Sequence, residues 1–393
     1  MPHLADFLDR EEWDKMIELV QMSQTHYPLA LYYVAYAYGK QGRERYIVLK
    51  KLAQASEASP DYCFPCLWQT EAVLRFALEM NPSDCQALYY LGCLLRYFER
   101  HDEALACWEA AAKAGSKVGD LYYCLGHAYE KADRLDEAVA MYLKAMEVAP
   151  DNPIFVREYD KLAEKRQTPA AERLAFLEGR QQVVAKRDDV LLREIVLLNR
   201  LERFDDALAS LASRRFYVWE GNEVIVHDAY VAAHLGRGRR RLDAGEAAPA
   251  REDFEAALEY PVKLGVGRPY REIRGRMTQY WLAKAIQAEG KADEARAMLE
   301  TCVSDLVSPA DAAARLCQAE VPFYQALALR ELGRADEATT TLRTLRDFCR
   351  KTLGGADEQP DFFAKFSESQ ADDTKQAVFG RLLQKVNREL GDD

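Results

Sequence analysis

Apolar and small residues recur along this chain with the helical spacing of three and four. The clearest stretch holds Leu91-Gly92, Leu95, Ala104, Trp108 and Ala111, followed by Leu125-Gly126, Tyr129, Ala138, Tyr142 and Ala145. Each member of the second set lies 34 residues after its counterpart in the first. Leu125, Gly126 and Tyr129 share one face of a first helix, and Ala138, Tyr142 and Ala145 share one face of a second. The small Gly126 lets the two helices approach closely, with Ala138 expected to sit against it. Pro150 ends the second helix, and Asp151-Asn152-Pro153 turns the chain into the next unit.

The same pattern extends in both directions. Val34, Ala35, Tyr38 and Gly42 open an earlier unit that closes at Ser59-Pro60, and Trp68, Ala72, Val73 and Phe76 predict one inserted helix before Pro82. Downstream, Leu191, Ile195, Leu198, Phe204, Ala207 and Leu211 restate it, as do Gly245, Ala250, Phe254 and Ala257. Further units follow at Leu282-Ala283, Ile286, Gly290, Ala295 and Leu299, and at Ala326, Leu329, Gly333, Ala338 and Leu342. The later alanines (207, 250, 295 and 338) stand 43 to 45 residues apart. Those units therefore carry longer helices or inserted loops, which often bear function.

The 34-residue period and its residue choice resemble the tetratricopeptide repeat, a helix-turn-helix unit. The resemblance implies an all-α, right-handed superhelical solenoid with irregular, longer repeats in the C-terminal half. The expected organisation is an irregular unit over 1–60, an inserted helix over 61–84 and two regular repeats over 85–153. Longer repeats with inserted loops occupy 154–350, and a loop and capping helix occupy 351–393. Three inserted motifs are similar to those of proteins carrying the domain of unknown function 5107: Pro60 to Pro65, Arg214 to Gly221 and Leu258 to Gly267. That resemblance runs from about residue 27 to about residue 350, and in that family a β-rich, carbohydrate-enzyme-like region precedes such an array.

Composition narrows the function classes. The 393 residues are 49% hydrophobic and 30% charged, which suits a folded chain, and the net charge of -11 argues against a basic nucleic-acid binder. The longest nearly apolar run, 29–38, is too short for a membrane span. An odd count of nine cysteines and an acidic N-terminus without a signal-peptide core predict reduced thiols and a cytoplasmic setting.

Candidate sites follow from the repeat register. In the tetratricopeptide repeat, set positions of the first helix face the concave groove. Here they correspond to Gln86, Tyr89, Cys93, Arg96 and Tyr97, then Asp120, Tyr123, His127, Glu130 and Lys131. Tyr32 and Tyr36 of the first unit, and Tyr280 and Lys284 of a later one, extend the set. Tyrosines at such positions can stack and hydrogen-bond to a bound segment, or pack against the neighbouring repeat. Trp219, in the loop Tyr217 to Gly221, either caps a pocket or fills a packing gap.

Two basic clusters interrupt the acidic background: Arg237-Gly238-Arg239-Arg240-Arg241, and Lys263 to Arg276. Convergent, they would recognise a carboxylate or phosphate; otherwise they pair with acids such as Asp243, Glu252 and Asp253. Cys63-x-x-Cys66 and Cys124-x-x-His127 lack the further ligands of a closed zinc site, and His227 and His234 are too far apart along a helix to share a metal directly. No nucleophile-elbow, phosphate-loop or zinc-protease motif occurs. The sequence thus predicts no metal, no cofactor and no catalysis. It points to a scaffold that binds a protein segment or peptide in its groove. The alternatives are an accessory module for a β-rich carbohydrate-processing domain, or a small-ligand sensor built on Trp219 and Arg239.

Overall fold

Residues rich in alanine, leucine and other good helix formers give helices throughout. A computed structural model describes residues 2–217, 223–269, 273–354 and 372–392, and among these it contains α-helices and short 3-10 turns but no strand. The chain divides into two units, Met1–Arg166 and Gln167–Asp393.

The first unit holds α1 (Pro2–Asp9), α2 (Trp13–Ser23), α3 (Pro28–Lys40), α4 (Arg45–Glu57), α5 (Gln69–Met80), α6 (Cys85–Tyr97), α7 (His101–Lys113), α8 (Gly119–Lys131), α9 (Leu135–Val148) and α10 (Pro153–Lys165). Within it, α3 pairs with α4, α6 with α7 and α8 with α9. The second unit holds α11 (Ala170–Glu178), α12 (Gln181–Val184), α13 (Asp188–Arg200), α14 (Phe204–Ala212), α15 (Glu223–Asp243) and α16 (Ala247–Ala257). It continues with α17 (Gly275–Ala288), α18 (Ala292–Val303), α19 (Pro309–Ala313), α20 (Val321–Glu331), α21 (Ala335–Leu353) and α22 (Asp372–Leu390). Its pairs are α13 with α14, α15 with α16, α17 with α18 and α20 with α21, and α22 packs on α21.

One local device closes six of these pairs, all but α3–α4. The turn between the two helices has three residues, and its middle residue is left-handed: Glu99, Asp133 and Glu202 in three pairs, Gly245, Gly290 and Gly333 in three others. The next residue is Arg100, Arg134, Arg203 or Arg334 in four of them, and its guanidinium pairs with an acid in the first turn of the following helix. Acids there also suit the positive end of the helix dipole. A side chain in the left-handed region costs about 1 kcal/mol where glycine does not. Replacing Glu99, Asp133 and Glu202 together with glycine is expected to stabilise the chain by about 2 kcal/mol. A lower unfolding midpoint in urea would contradict this.

The helix seams use glycine differently from the expectation that Ala138 fills the notch at Gly126. A Cβ placed on Gly126 would stand 2.6 Å from Cε1 of Tyr142, so the ring fills that space. Ala138 is buried elsewhere in the seam. Trp108 fills the notch at Gly92 in the same way, and Phe254 the notch at Gly238. In each case the aromatic residue follows its glycine by 16 positions. Where the glycine is replaced by alanine, the knob shrinks to leucine at the same spacing: Ala283 with Leu299 and Ala326 with Leu342, all buried in one cluster. Seam volume is conserved by trading size across the pair.

Asp84 organises the first unit. Its carboxylate, 2% exposed, accepts from the Tyr32 hydroxyl at 2.9 and 3.0 Å, from Ser56 Oγ at 3.0 Å, and from the backbone N–H groups of Gln86 and Ala87 at the start of α6. This single side chain is both the helix cap and the partner of a buried phenol.

Candidate functional site

The face of interest in the first unit is built from α6 and α8. On α8, Asp120, Tyr123, His127 and Lys131 follow one another at intervals of three and four, so they form a single stripe. Tyr89, Cys93 and Tyr97 make the matching stripe on α6, with Arg96 at its edge.

The floor is aromatic. The Tyr123 ring is stacked on Phe155 of α10 at 5.9 Å between centroids, with Tyr142 and His127 each at 6.4 Å. Tyr89 is buried against Tyr90, and Trp108 Nε1 donates to its carbonyl. Tyr97 remains largely exposed and meets Phe98 edge to face. Burial first, and then the neighbouring thiols of Cys93 and Cys124, push the Tyr89 phenol up. Cys124 is raised mainly through its hydrogen bond with Cys93, and further by burial.

One end of the face is basic and the other acidic. Arg96 Nη1 lies 3.2 Å from Nδ1 of His101. His127 is held below its ordinary pKa, first by burial and then by the positive charge of Lys131, with Arg96 adding to the effect; Glu130 and Glu158 oppose it. At the other end, Asp120 is exposed at the start of α8, and partial desolvation by the protein around it raises its carboxyl. The nearby Asp61 raises it further. Asp61 comes from the inserted segment between α4 and α5, where Cys63 N donates to Pro60 O at 3.1 Å and closes a tight turn. Cys63 is the buried anchor of that turn, whereas Tyr62 and Phe64 on either side project into solvent.

Other residues selected from the sequence have different surroundings. Tyr32 is fully buried and its hydroxyl is spent on Asp84, so it is a core residue and offers no groove contact. Tyr36 stands between Trp13 and Phe76, with Lys40 over its ring. Tyr280 is buried, and its hydroxyl donates to Glu331 Oε1 at 3.2 Å; Lys284 Nζ donates to both oxygens of that carboxylate at 3.1 Å. Trp219 lies outside the described residues.

Arg239 lies over the Trp281 ring at 4.6 Å. The rest of its cluster is engaged with acids. Asp253, 1% exposed, receives His234 Nδ1 at 2.8 Å, Arg237 Nη2 at 2.7 Å and Arg241 Nη1 at 2.9 Å. Arg237 also reaches Asp205, and Arg240 approaches Glu202. Gly238, in the middle of the run, is the seam glycine of the α15–α16 pair. The second cluster is used similarly: Arg274 pairs with Asp228, Arg276 donates to Thr301 O, and Arg268 covers Tyr260. These arginines hold the second unit together rather than forming an open anion site. The second and third inserted motifs also meet one another, since the buried Phe216 donates its backbone N–H to Lys263 O at 2.8 Å.

Among the described residues no group of three His, Cys, Asp or Glu side chains is placed to hold a metal ion, and no helix is long and apolar enough to cross a membrane.

Residues 119–152, which comprise α8, α9 and their flanking turns, match the model of the tetratricopeptide repeat. The chain is 33% identical over 78 residues to the small glutamine-rich tetratricopeptide repeat-containing protein 2 of Mycosarcoma maydis; the match covers 20% of this chain and 22% of that protein's length. Among solved structures, it is similar to YrrB, described as a tetratricopeptide repeat protein with an unusual peptide-binding site, at 19% identity and a TM-score of 0.35, covering 47% of this chain and 90% of that one. Similarity to yeast Tom70 covers 79% of this chain and 61% of that one, at 16% identity and a TM-score of 0.33. For a tetratricopeptide repeat protein from Parabacteroides merdae the figures are 78%, 100%, 14% and 0.33. The described residues of this chain are packed as helix pairs without a strand, and the chain contains a tetratricopeptide repeat at residues 119–152.

Proposed function

We propose that this protein is a scaffold that binds a segment of another protein on the α6–α8 face of its first unit. The observation that carries this reading is the gathering of Arg96, His127 and Lys131 at one end of an aromatic floor. The basic residues of the second unit, by contrast, are largely engaged with local acids. Three basic groups that raise one another's potential are stabilised by an incoming carboxylate. The exposed Tyr97 beside them offers contact area at low entropic cost.

Panning a random-peptide library against the whole chain tests the reading. Acidic or carboxylate-terminated peptides are expected, and the double variant Arg96→Glu with Lys131→Glu should weaken them by about tenfold or more. Failure to select any peptide that depends on those two residues would sink it. The pH dependence has a definite sign. A bound carboxylate favours the charged imidazole, so complex formation takes up a proton at His127. Affinity should therefore rise as the pH falls from about 7 towards about 5. Calorimetry in buffers of different ionisation enthalpy measures that proton, and His127→Gln should abolish the uptake.

A further inference from the structure

The opposite end of the same face has the opposite sign, and the spacing between the two ends describes the segment that fits. Asp120 begins the α8 stripe, and Asp61 reaches it from the inserted turn. Neither forms an ion pair among the described residues; the hydroxyl of Ser59 donates to Asp61 Oδ2. Beside Asp61, Tyr62 is 89% exposed and held at φ 56°. A tyrosine in that conformation is strained, and here the strained backbone holds an exposed ring at the residue that follows Asp61. Carboxylates with an exposed ring suit an ammonium or guanidinium group.

Along α8, seven residues separate Asp120 from His127 and eleven separate it from Lys131, or roughly 10 to 16 Å at the helical rise. An extended peptide covers that distance in about three to five residues. Tyr123 and its stack on Phe155 lie between the two ends. A single-sign surface would suit a polyanion or a charged membrane, whereas this face carries both signs in a fixed order.

We propose that the face selects an extended peptide bearing a basic residue and an acidic group about three to five positions apart. The basic residue sits against Asp120, Asp61 and Tyr62, and the acidic group sits against Arg96, His127 and Lys131. This proposal rests on the peptide-binding reading above and adds the chemistry and spacing of the partner. The inserted turn is then part of the recognition surface, because it supplies Asp61 and Tyr62.

The same library, panned on the wild-type chain and on the double variant Asp61→Asn with Asp120→Asn, separates the two readings. Wild-type binders should carry one Lys or Arg at a fixed spacing from an Asp, Glu or C-terminal carboxylate. For the best of them, Lys→Ala in the peptide should weaken binding about tenfold on the wild type and leave it nearly unchanged on the double variant. Tyr62→Ala, at an exposed turn position, should also weaken the basic peptide while the helical signal by circular dichroism stays constant. Binders enriched only in acids, with equal affinity for wild type and double variant, would overturn the two-ended proposal and leave the scaffold reading standing. Recovery of no specific binder would overturn both.

Discussion

Asp253→Ala is expected to weaken the α15–α16 pair by about 3 kcal/mol, because it leaves two guanidinium groups and an imidazole without their shared anion in a poorly solvated seam. Arg237, Arg241 and His234 all converge on this carboxylate, which is almost completely shielded from water. Burial alone would raise its pKa. The hydrogen bonds from His234 and Arg237, and then the charges of Arg237 and Arg241, outweigh that effect and hold it below the ordinary value. The sign for stability follows. A folded-state pKa below the unfolded one contributes stability that is present above the unfolded value and is lost as the pH falls through the folded value. The wild-type seam should therefore weaken in acid more steeply than that of the variant. Hydrogen exchange resolved to α15 and α16 is the appropriate measurement, since repeat arrays often unfold unit by unit. Amide protection in those helices should drop by about a hundredfold. Unchanged protection would show that the cluster contributes nothing to the seam.

Gly126→Ala is expected to destabilise the first unit by about 2 kcal/mol, although alanine is the better helix former by about 1 kcal/mol. The new methyl group would meet the Tyr142 ring well inside van der Waals contact, and the ring is fully buried and hemmed in by Tyr123. Tyr142→Leu alone should cost about 3 kcal/mol by leaving a void and losing the bond from its hydroxyl to Glu130. Together the two changes recreate the alanine–leucine pairing of Ala283 with Leu299 and Ala326 with Leu342. The double variant should therefore be clearly more stable than the sum of the single effects. A double-mutant cycle on urea unfolding reads this directly, and additive losses would refute the size-trading account of the seams.

The seam residues were legible because helical periodicity is local: Leu91, Gly92, Trp108, Leu125, Gly126 and Tyr142 announce themselves by spacing alone. The partner of each glycine was less plain, since the residue that fills a notch depends on how two helices cross. Gly238 lies inside an arginine run, yet Phe254 follows it by the same 16 positions as Tyr142 follows Gly126. The two N-terminal helices α1 and α2 carry no repeat signature; only their apolar positions mark them, Leu4 and Ala5 in α1 and Met16, Ile17 and Val20 in α2.

At the candidate site, register alone places Tyr123, His127 and Lys131 on one stripe and Arg96 at the edge of the other. It placed Tyr32 and Tyr280 on the same footing, because a tyrosine reads identically whether its hydroxyl meets a ligand or a buried acid. Asp84 lies 52 residues from Tyr32, and Glu331 lies 51 from Tyr280. Asp61 carries no sequence sign that its charge would act on Asp120 of α8.

The helices, their pairing and the alternation of large and small seam residues are written in local spacing, since these depend on neighbours within about two helical turns or on one 34-residue step. Which charges are spent and which stay open depends on the folded arrangement. Coulombic and hydrogen-bond partners are chosen by distance in space, and here that brings Arg237 to Asp253 and Arg274 to Asp228, while the charges of Lys131 and Arg96 act on His127.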